Sequence, residues 1–340
     1  MKPNLFTYAT SELSQDAILI WLINWAKPDY HNVDELLHDT GKYFLKTLLQ
    51  KAGISVSTFN KINVRAQYHK IDIFIELEIG ERKFAIIIED KVSSSEHSNQ
   101  LERYTQFISN IGYEREQIIP IYLKTKFQHN FDNVLKQGYH VYSVHDLMDV
   151  LKYGKSKGVK NEIFLDFFDH LRQLEIIFQE DESSYLNYGT KLIKDWNWWN
   201  WIGFFDNNRA TLNAEWGIVP NRRENLVALY FGGTNEKVVY NNVEIIVSPY
   251  IDVKYSSNNY YTFSYRLGLN GHPQNDRRLR DEIIRKLEGK IRQNGIMVKI
   301  PKFTKAKQTI ELLKVTNING EMNEKETVSF LKRMQKALVD

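Results

Sequence analysis

The 340-residue chain contains no cysteine, which excludes disulfides and thiolate metal sites and suits a reducing cytoplasm. Long apolar runs are missing too. No segment approaches the roughly 20 apolar residues of a membrane span, and the opening Met1-Lys2-Pro3-Asn4-Leu5 lacks the apolar stretch of a secretory signal. A cytoplasmic protein without a membrane segment is the expectation. None of the nine histidines forms a pair at metal-ligand spacing, so His145 and His170 are read as structural or surface residues. The basic loop Gly154-Lys155-Ser156-Lys157-Gly158 lacks the spacing of a phosphate loop. There is no internal repeat and no low-complexity tract.

What is present is apolar residue enough, 42% of the chain, to fold more than one core. The length exceeds one typical core, and the spacing predicts two domains, 1–180 and 185–340. Between them Glu180-Asp181-Glu182-Ser183-Ser184 is acidic and polar, a linker composition. Helical periodicity marks 12–26 and 33–52, a strand is expected near 59–66, and a helix over about 96–110. Ile118 to Leu123 and Tyr139 to Tyr142 read as strands. Ser143 caps a further helix, and another spans about 160–179. In the second half a helix-like stretch ends in Trp196-Asn197-Trp198-Trp199-Asn200-Trp201. Strand-like runs follow around 209–218, 225–231, 243–254 and 260–269. A helix near 276–293, a strand near 296–300 and a terminal helix from about 323 complete an α+β half.

One hairpin stands out. Ile71 to Ile79 and Arg82 to Lys91 flank Gly80-Glu81, a two-residue turn with glycine in the first central place, as a type II′ hairpin wants. Opposed positions then sum to 161, so Asp72 faces Glu89. Directly opposed residues hold their Cβ atoms about 5 Å apart. Two bare carboxylates there repel, and a divalent cation cures the repulsion. Alternation puts Lys91 on the face of Glu89 and turns Asp90 away. An exposed cross-strand ion pair is the plainer reading of the same residues. Against it, Ile86-Ile87-Ile88 is the continuous apolar run of a strand covered on both faces, and charges at its end are costly unless used.

Asp72 with Glu89-Asp90-Lys91 resembles the signature of the PD-(D/E)XK nuclease superfamily, although Ile71 stands where the family's proline would be. Gln100-Leu101-Glu102-Arg103-Tyr104 resembles the Gln-x-x-x-Tyr helix of the RecB-like branch, with Gln100 and Tyr104 on one helix face. Glu12 resembles the branch's first-helix glutamate. The likeness covers roughly residues 10 to 145. It implies an α/β fold, a restriction-endonuclease-like mixed sheet flanked by helices, with the second α+β domain outside the match.

The resemblance implies metal-assisted phosphodiester hydrolysis. Asp72, Glu89 and the backbone carbonyl of Asp90 would hold Mg²⁺ (or Mn²⁺). Lys91 would position the attacking water, Gln100 and Tyr104 would touch the phosphate or that water, and Glu12 would support the metal directly or through water. Outside this likeness, Gln100 and Tyr104 fit an ordinary amphipathic helix. Glu12 fits a first-turn carboxylate behind a Thr10 or Ser11 cap.

The net charge of +3 conceals a concentration. From Arg277 to Lys307 eleven Lys and Arg stand against three acids, a local +8, so the remainder carries −5. Arg277, Arg278, Arg280, Arg285, Lys286 and Lys290 share the expected 276–293 helix and are candidate nucleic-acid contacts. A solvated basic face is the alternative. The tryptophans read as core anchors before base-stacking platforms. The combined expectation is a metal-dependent nuclease acting on DNA rather than RNA, in restriction, phage defence or repair. Its second domain would select the substrate or sense a protein or nucleotide signal. The alternative is a nuclease fold serving as a silent or gated binding module.

Overall fold

Gly80 adopts φ +60°, a conformation that costs glycine nothing, and closes the hairpin in the register the turn dictates. A computed structural model describes residues 3–9, 11–92, 100–219, 225–231, 236–240, 243–256, 260–268, 277–303 and 309–339. Thr10 and residues 93–99 lie outside them, and with them one of the two expected caps and the start of the expected 96–110 helix. The chain divides into two units, Met1–Glu182 and Ser183–Asp340.

The first unit begins with α1 (Glu12–Trp25) and α2 (Glu35–Lys51), followed by β1 (Lys61–Tyr68), β2 (Ile71–Ile79) and β3 (Arg82–Lys91). Then come α3 (Gln100–Asn110), β4 (Ile118–Lys124), α4 (Asp132–Lys136), β5 (His140–Ser143), α5 (Val144–Lys157) and α6 (Glu162–Leu186). The five strands lie in sequence order. β1, β2 and β3 pair antiparallel, while β3–β4 and β4–β5 are parallel, so the sheet is mixed.

Strand β3 is central and every residue from Phe84 to Lys91 is buried. Alternation sends Phe84, Ile86 and Ile88 into a core with Ile18, Leu19 and Leu22 of α1 and Phe44 and Leu48 of α2. Ala85 and Ile87 meet Tyr104 and Ile108 of α3 on the other face. Ser11 caps α1, its side chain accepting from the Ser14 amide at 3.2 Å. Gly41 lets α1 and α2 touch: a Cβ there would lie 2.5 Å from the Leu22 carbonyl oxygen.

Two expectations for this region change. Gly154 to Lys157 is the last turn of α5, with Gly158 as its left-handed cap at φ +94°. Glu180 to Ser184 is helical, part of α6. Phe164, Phe167, Phe168, Leu171 and Leu174 form the buried stripe of α6, and its polar end simply remains solvated. Composition reported exposure there, which is not loss of helix.

The second unit contains α7 (Trp198–Leu212), β6 (Ala214–Val219), β7 (Asn225–Phe231), β8 (Glu236–Tyr240), β9 (Val243–Ser256) and β10 (Tyr260–Gly268). It ends with α8 (Arg277–Gln293), β11 (Val298–Lys299), β12 (Thr309–Val315) and α9 (Glu324–Val339). The sheet runs β11-β12-β10-β9-β7-β6, with β8 also on β9, and its pairs are antiparallel. The tryptophans start a helix instead of ending one. Asn197 and Asn200 form a capping box, each side chain accepting the other's amide at 2.9 and 3.0 Å. As a result residues 209–212, expected as strand, finish α7. Trp196 and Trp201 are core residues, as the anchor reading required. Strands β8 and β12 had no counterpart in the expected order. Among the described residues no helix is long and apolar enough to cross a membrane.

Candidate active site

The β2–β3 register runs from Ile73 opposite Ile88 to Ile79 opposite Arg82, which puts Asp72 and Glu89 across from each other at the open end. The Asp72 side chain closes that end, its Oδ2 accepting from the Asp90 amide at 3.0 Å. Lys91 reaches back over the same end. Its ammonium pairs with Glu89 Oε1, lies 3.7 Å from Asp72 Oδ2 and donates to the Asp90 carbonyl at 3.2 Å. The three oxygens expected to hold a metal therefore converge on one cation.

Burial sets the electrostatics. Glu89 is fully buried, and burial followed by the Asp72 charge pushes its carboxyl up to about 7. Burial alone would lower Lys91, but the Glu89 bond and the Glu89 and Asp72 charges outweigh it and its pKa is raised. On the α3 face, Gln100 Nε2 donates to Glu89 Oε1 at 2.7 Å and to the Tyr104 hydroxyl at 2.8 Å. Burial, then the Glu89 and Asp72 charges, raise Tyr104. Tyr139 fixes α3 by donating to the Leu101 carbonyl at 3.1 Å.

The α1 face carries a second polar layer. Gln15 Nε2 donates to Asp90 Oδ1 at 2.6 Å and its oxygen accepts from Thr125 at 3.3 Å. Glu12 Oε1 accepts the Val92 amide at 3.1 Å, so this carboxylate anchors the chain just past Lys91. Asp16 is raised to about 7 by burial and then by the Asp72 charge. Asp90, which is completely buried, lies well above its ordinary range through burial and the Asp16 charge. Asp16 Oδ1 and Asp90 Oδ2 are buried acceptors without a donor among the described residues, and a proton retained by one of these neighbouring carboxyls relieves both. Gln67 Nε2 bridges Asp16 at 3.3 Å and Asp72 at 3.2 Å. Gln67 does so from the left-handed region, φ +50°, an uncommon conformation for this residue type. Beside Lys91 in the β3–β4 register stands Lys124, which burial lowers to about 8 against the charges of Glu12 and Asp90.

The structure thus brings together Asp72, Glu89, Asp90, Lys91, Gln100, Tyr104 and Glu12, and adds Gln15, Asp16, Gln67 and Lys124, which sequence reasoning missed. Gln15 and Asp16 follow Glu12 by three and four residues on the inward side of α1, a spacing that carried the signal. Gln67 was readable from the β1–β2 register, where it falls opposite Asp72. Nothing in the local sequence marks Lys124.

These residues fit a hard divalent cation. Glu89 Oε2 is buried with no hydrogen-bond partner among the described residues, and five carboxyls (Glu12, Asp16, Asp72, Glu89, Asp90) face two lysines. Among the described residues no three His, Asp or Glu side chains are grouped as a metal cage. Two carboxylates and a main-chain carbonyl suit Mg²⁺, which retains several waters and takes few protein carboxylates.

The basic residues belong to α8 of the second unit. Arg277, Arg278, Arg285, Lys286 and Lys290 are exposed there. Arg280 departs from the expected surface row: it is 3% exposed and bound to the Pro301 carbonyl, because its position falls among the inward Leu279, Ile283 and Ile284.

Comparisons with curated proteins and with solved structures each gave no match. A family model described as the PD-(D/E)XK nuclease superfamily matches residues 3–196, more than half of the 340 residues. With Asp72 and Glu89 opposed at the hairpin end and Lys91 between them, the chain belongs to the PD-(D/E)XK nuclease superfamily.

Proposed function

We propose that this protein is a divalent-metal-dependent nuclease that hydrolyses nucleic-acid phosphodiester bonds, with DNA as its substrate, in restriction, phage defence or repair. The observation that carries the reading is the convergence of Asp72 Oδ2, Glu89 Oε1 and the Asp90 carbonyl on one point now held by the Lys91 ammonium. Those three oxygens are the proposed ligands for Mg²⁺ or Mn²⁺, and the ion would supply an acidified water and charge neutralisation at the phosphate.

The remaining roles belong to side chains. Lys91 would hold the attacking water by hydrogen bond and neutralise charge gathering on the phosphate oxygens. Gln100 fixes the Glu89 carboxylate, and by donating to Tyr104 leaves that hydroxyl free to donate to a phosphate oxygen. Glu12 holds the Val92 amide, and Gln15 the Asp90 side chain, so the main-chain carbonyl between them keeps its direction. Hydrolysis adds water to phosphorus and breaks one P–O ester bond, the leaving oxygen taking its proton from solvent.

The test is a cleavage panel of supercoiled plasmid, linear duplex, single-stranded DNA and RNA with Mg²⁺, Mn²⁺ or EDTA, with Lys91→Ala run beside the wild type. Metal-dependent cleavage of DNA that the variant loses supports the nuclease. No cleavage of any substrate would instead favour the silent or gated binding module.

A further inference from the structure

In the second unit the segment from 300 to 303 lies along α8, and together they bound an open groove of about 640 Å³. Arg280 lines it while 3% exposed. Its Nη2 donates to the Pro301 carbonyl at 2.5 Å, and its Nε has no partner among the described residues. A desolvated guanidinium with an unused donor is an unfinished anion site. The guanidinium carbon also lies 5.8 Å from the centre of the Phe303 ring, which is half-buried in the same wall.

The groove's acids are already engaged. Asp281 pairs with Arg277 at 3.8 Å and Glu288 with Arg292 at 2.8 Å. Among the described residues no carboxylate pairs with Arg280, Arg285 or Lys302, although Arg285 Nε donates to the Asp281 carbonyl at 3.3 Å. Three cations with no carboxylate partner among the described residues therefore share one groove with an aromatic ring. An arginine fork matches a phosphate, and a ring beside it offers a face to a base. A paired base is already stacked in its duplex, so the ring is useful to a single strand.

We propose that the α8 groove binds single-stranded nucleic acid, with Arg280, Arg285 and Lys302 on phosphate oxygens and Phe303 against a base. The inference deepens the nuclease reading and rests on it for the class of ligand. Arg280 supplies the buried, fixed contact, whereas Arg285 and Lys302 are exposed and supply salt-dependent ones.

The experiment is fluorescence anisotropy of the full chain with a labelled 12-residue oligothymidylate and an abasic strand of equal length, in EDTA and over a range of salt. Arg285→Glu and Lys302→Glu sit on the surface and leave folding intact. Each is expected to weaken oligothymidylate binding about tenfold and to flatten the log Kd against log salt slope by about 0.7. Phe303→Ala is expected to weaken oligothymidylate but not the abasic strand. Unchanged affinity and slope in both charge reversals would overturn the proposal, as would equal responses of the two strands to Phe303→Ala. Because EDTA separates binding from hydrolysis, cleavage by a chain whose groove variants bind normally removes the groove and retains the nuclease. Groove binding without cleavage in any metal does the reverse.

Discussion

Gln100 and Glu89, eleven residues apart on α3 and β3, are joined by a 2.7 Å hydrogen bond at the end of the central strand. The bond ties a helix to a buried carboxylate whose other oxygen has no hydrogen-bond partner among the described residues. Gln100→Ala is expected to lower cleavage 10- to 100-fold, the range for loss of a residue that holds a metal ligand. Stability should fall by about 1.5–3 kcal/mol, as for a hydrogen bond to a charged group. Single-turnover rates and urea unfolding of the same variant check both numbers.

Lys91→Ala removes the cation that Glu89, Asp72 and the Asp90 carbonyl share. The metal-free variant should melt at a lower temperature than the wild type, because the buried Glu89 carboxylate and the half-buried Asp72 lose their partner. Mg²⁺ should then raise its melting temperature more than it raises that of the wild type, since the ion no longer competes with an ammonium. Cleavage should stay absent. Differential scanning calorimetry with Mg²⁺ and with EDTA measures the two increments.

The raised carboxyls give stability a defined pH dependence. Glu89 moves from an ordinary 4.5 to about 7 and Asp16 from 3.8 to about 7. Between those values the folded chain holds more protons than the unfolded one, so stability falls as pH rises toward 7. Asp90, raised in the same sense, adds to the fall. The Glu89 and Asp16 shifts amount to about 3 to 4 kcal/mol each at most. Urea unfolding in EDTA at pH 5, 6, 7 and 8 should show a decline that is steepest below pH 7 and flattens above it, and Mg²⁺, which binds the ionised carboxylates, should reverse much of it above pH 7.

Gln15→Leu leaves Asp90 Oδ1 without its donor inside a fully buried layer. A loss of about 1–3 kcal/mol is expected. Gly41→Ala acts from further away: its Cβ would meet the Leu22 carbonyl oxygen at 2.5 Å and the Ala26 nitrogen at 2.8 Å. It should cost a similar amount, in the range for overpacking, and lower cleavage by shifting the helix that carries Glu12, Gln15 and Asp16. Unfolding and cleavage measured on the two variants check this.

How much of this was legible in the sequence depends on the range of each contact. The hairpin was readable because a two-residue turn with glycine dictates every pairing beyond it, down to Asp72 opposite Glu89. Gln100 and Tyr104 were readable because four residues make one helical turn. Gln15 on Asp90 spans 75 positions and Gln67 on Asp16 spans 51, and no local period encodes such pairs. The tryptophan segment misled because its capping box uses two asparagines, leaving the start of α7 hidden within an apolar run. Arg280 looked like its neighbours because seven cations on one helix differ only in phase, and phase decides which one points inward.

The most direct measurement is the Mg²⁺-dependent rate of DNA cleavage by Asp72→Asn beside the wild type, with Mg²⁺ affinity read by calorimetry on both. The account predicts that the wild type cleaves, and that the variant binds Mg²⁺ more weakly and does not cleave. Wild-type cleavage and metal affinity in Asp72→Asn would contradict it, because the oxygens gathered around Lys91 would then have no part in the reaction.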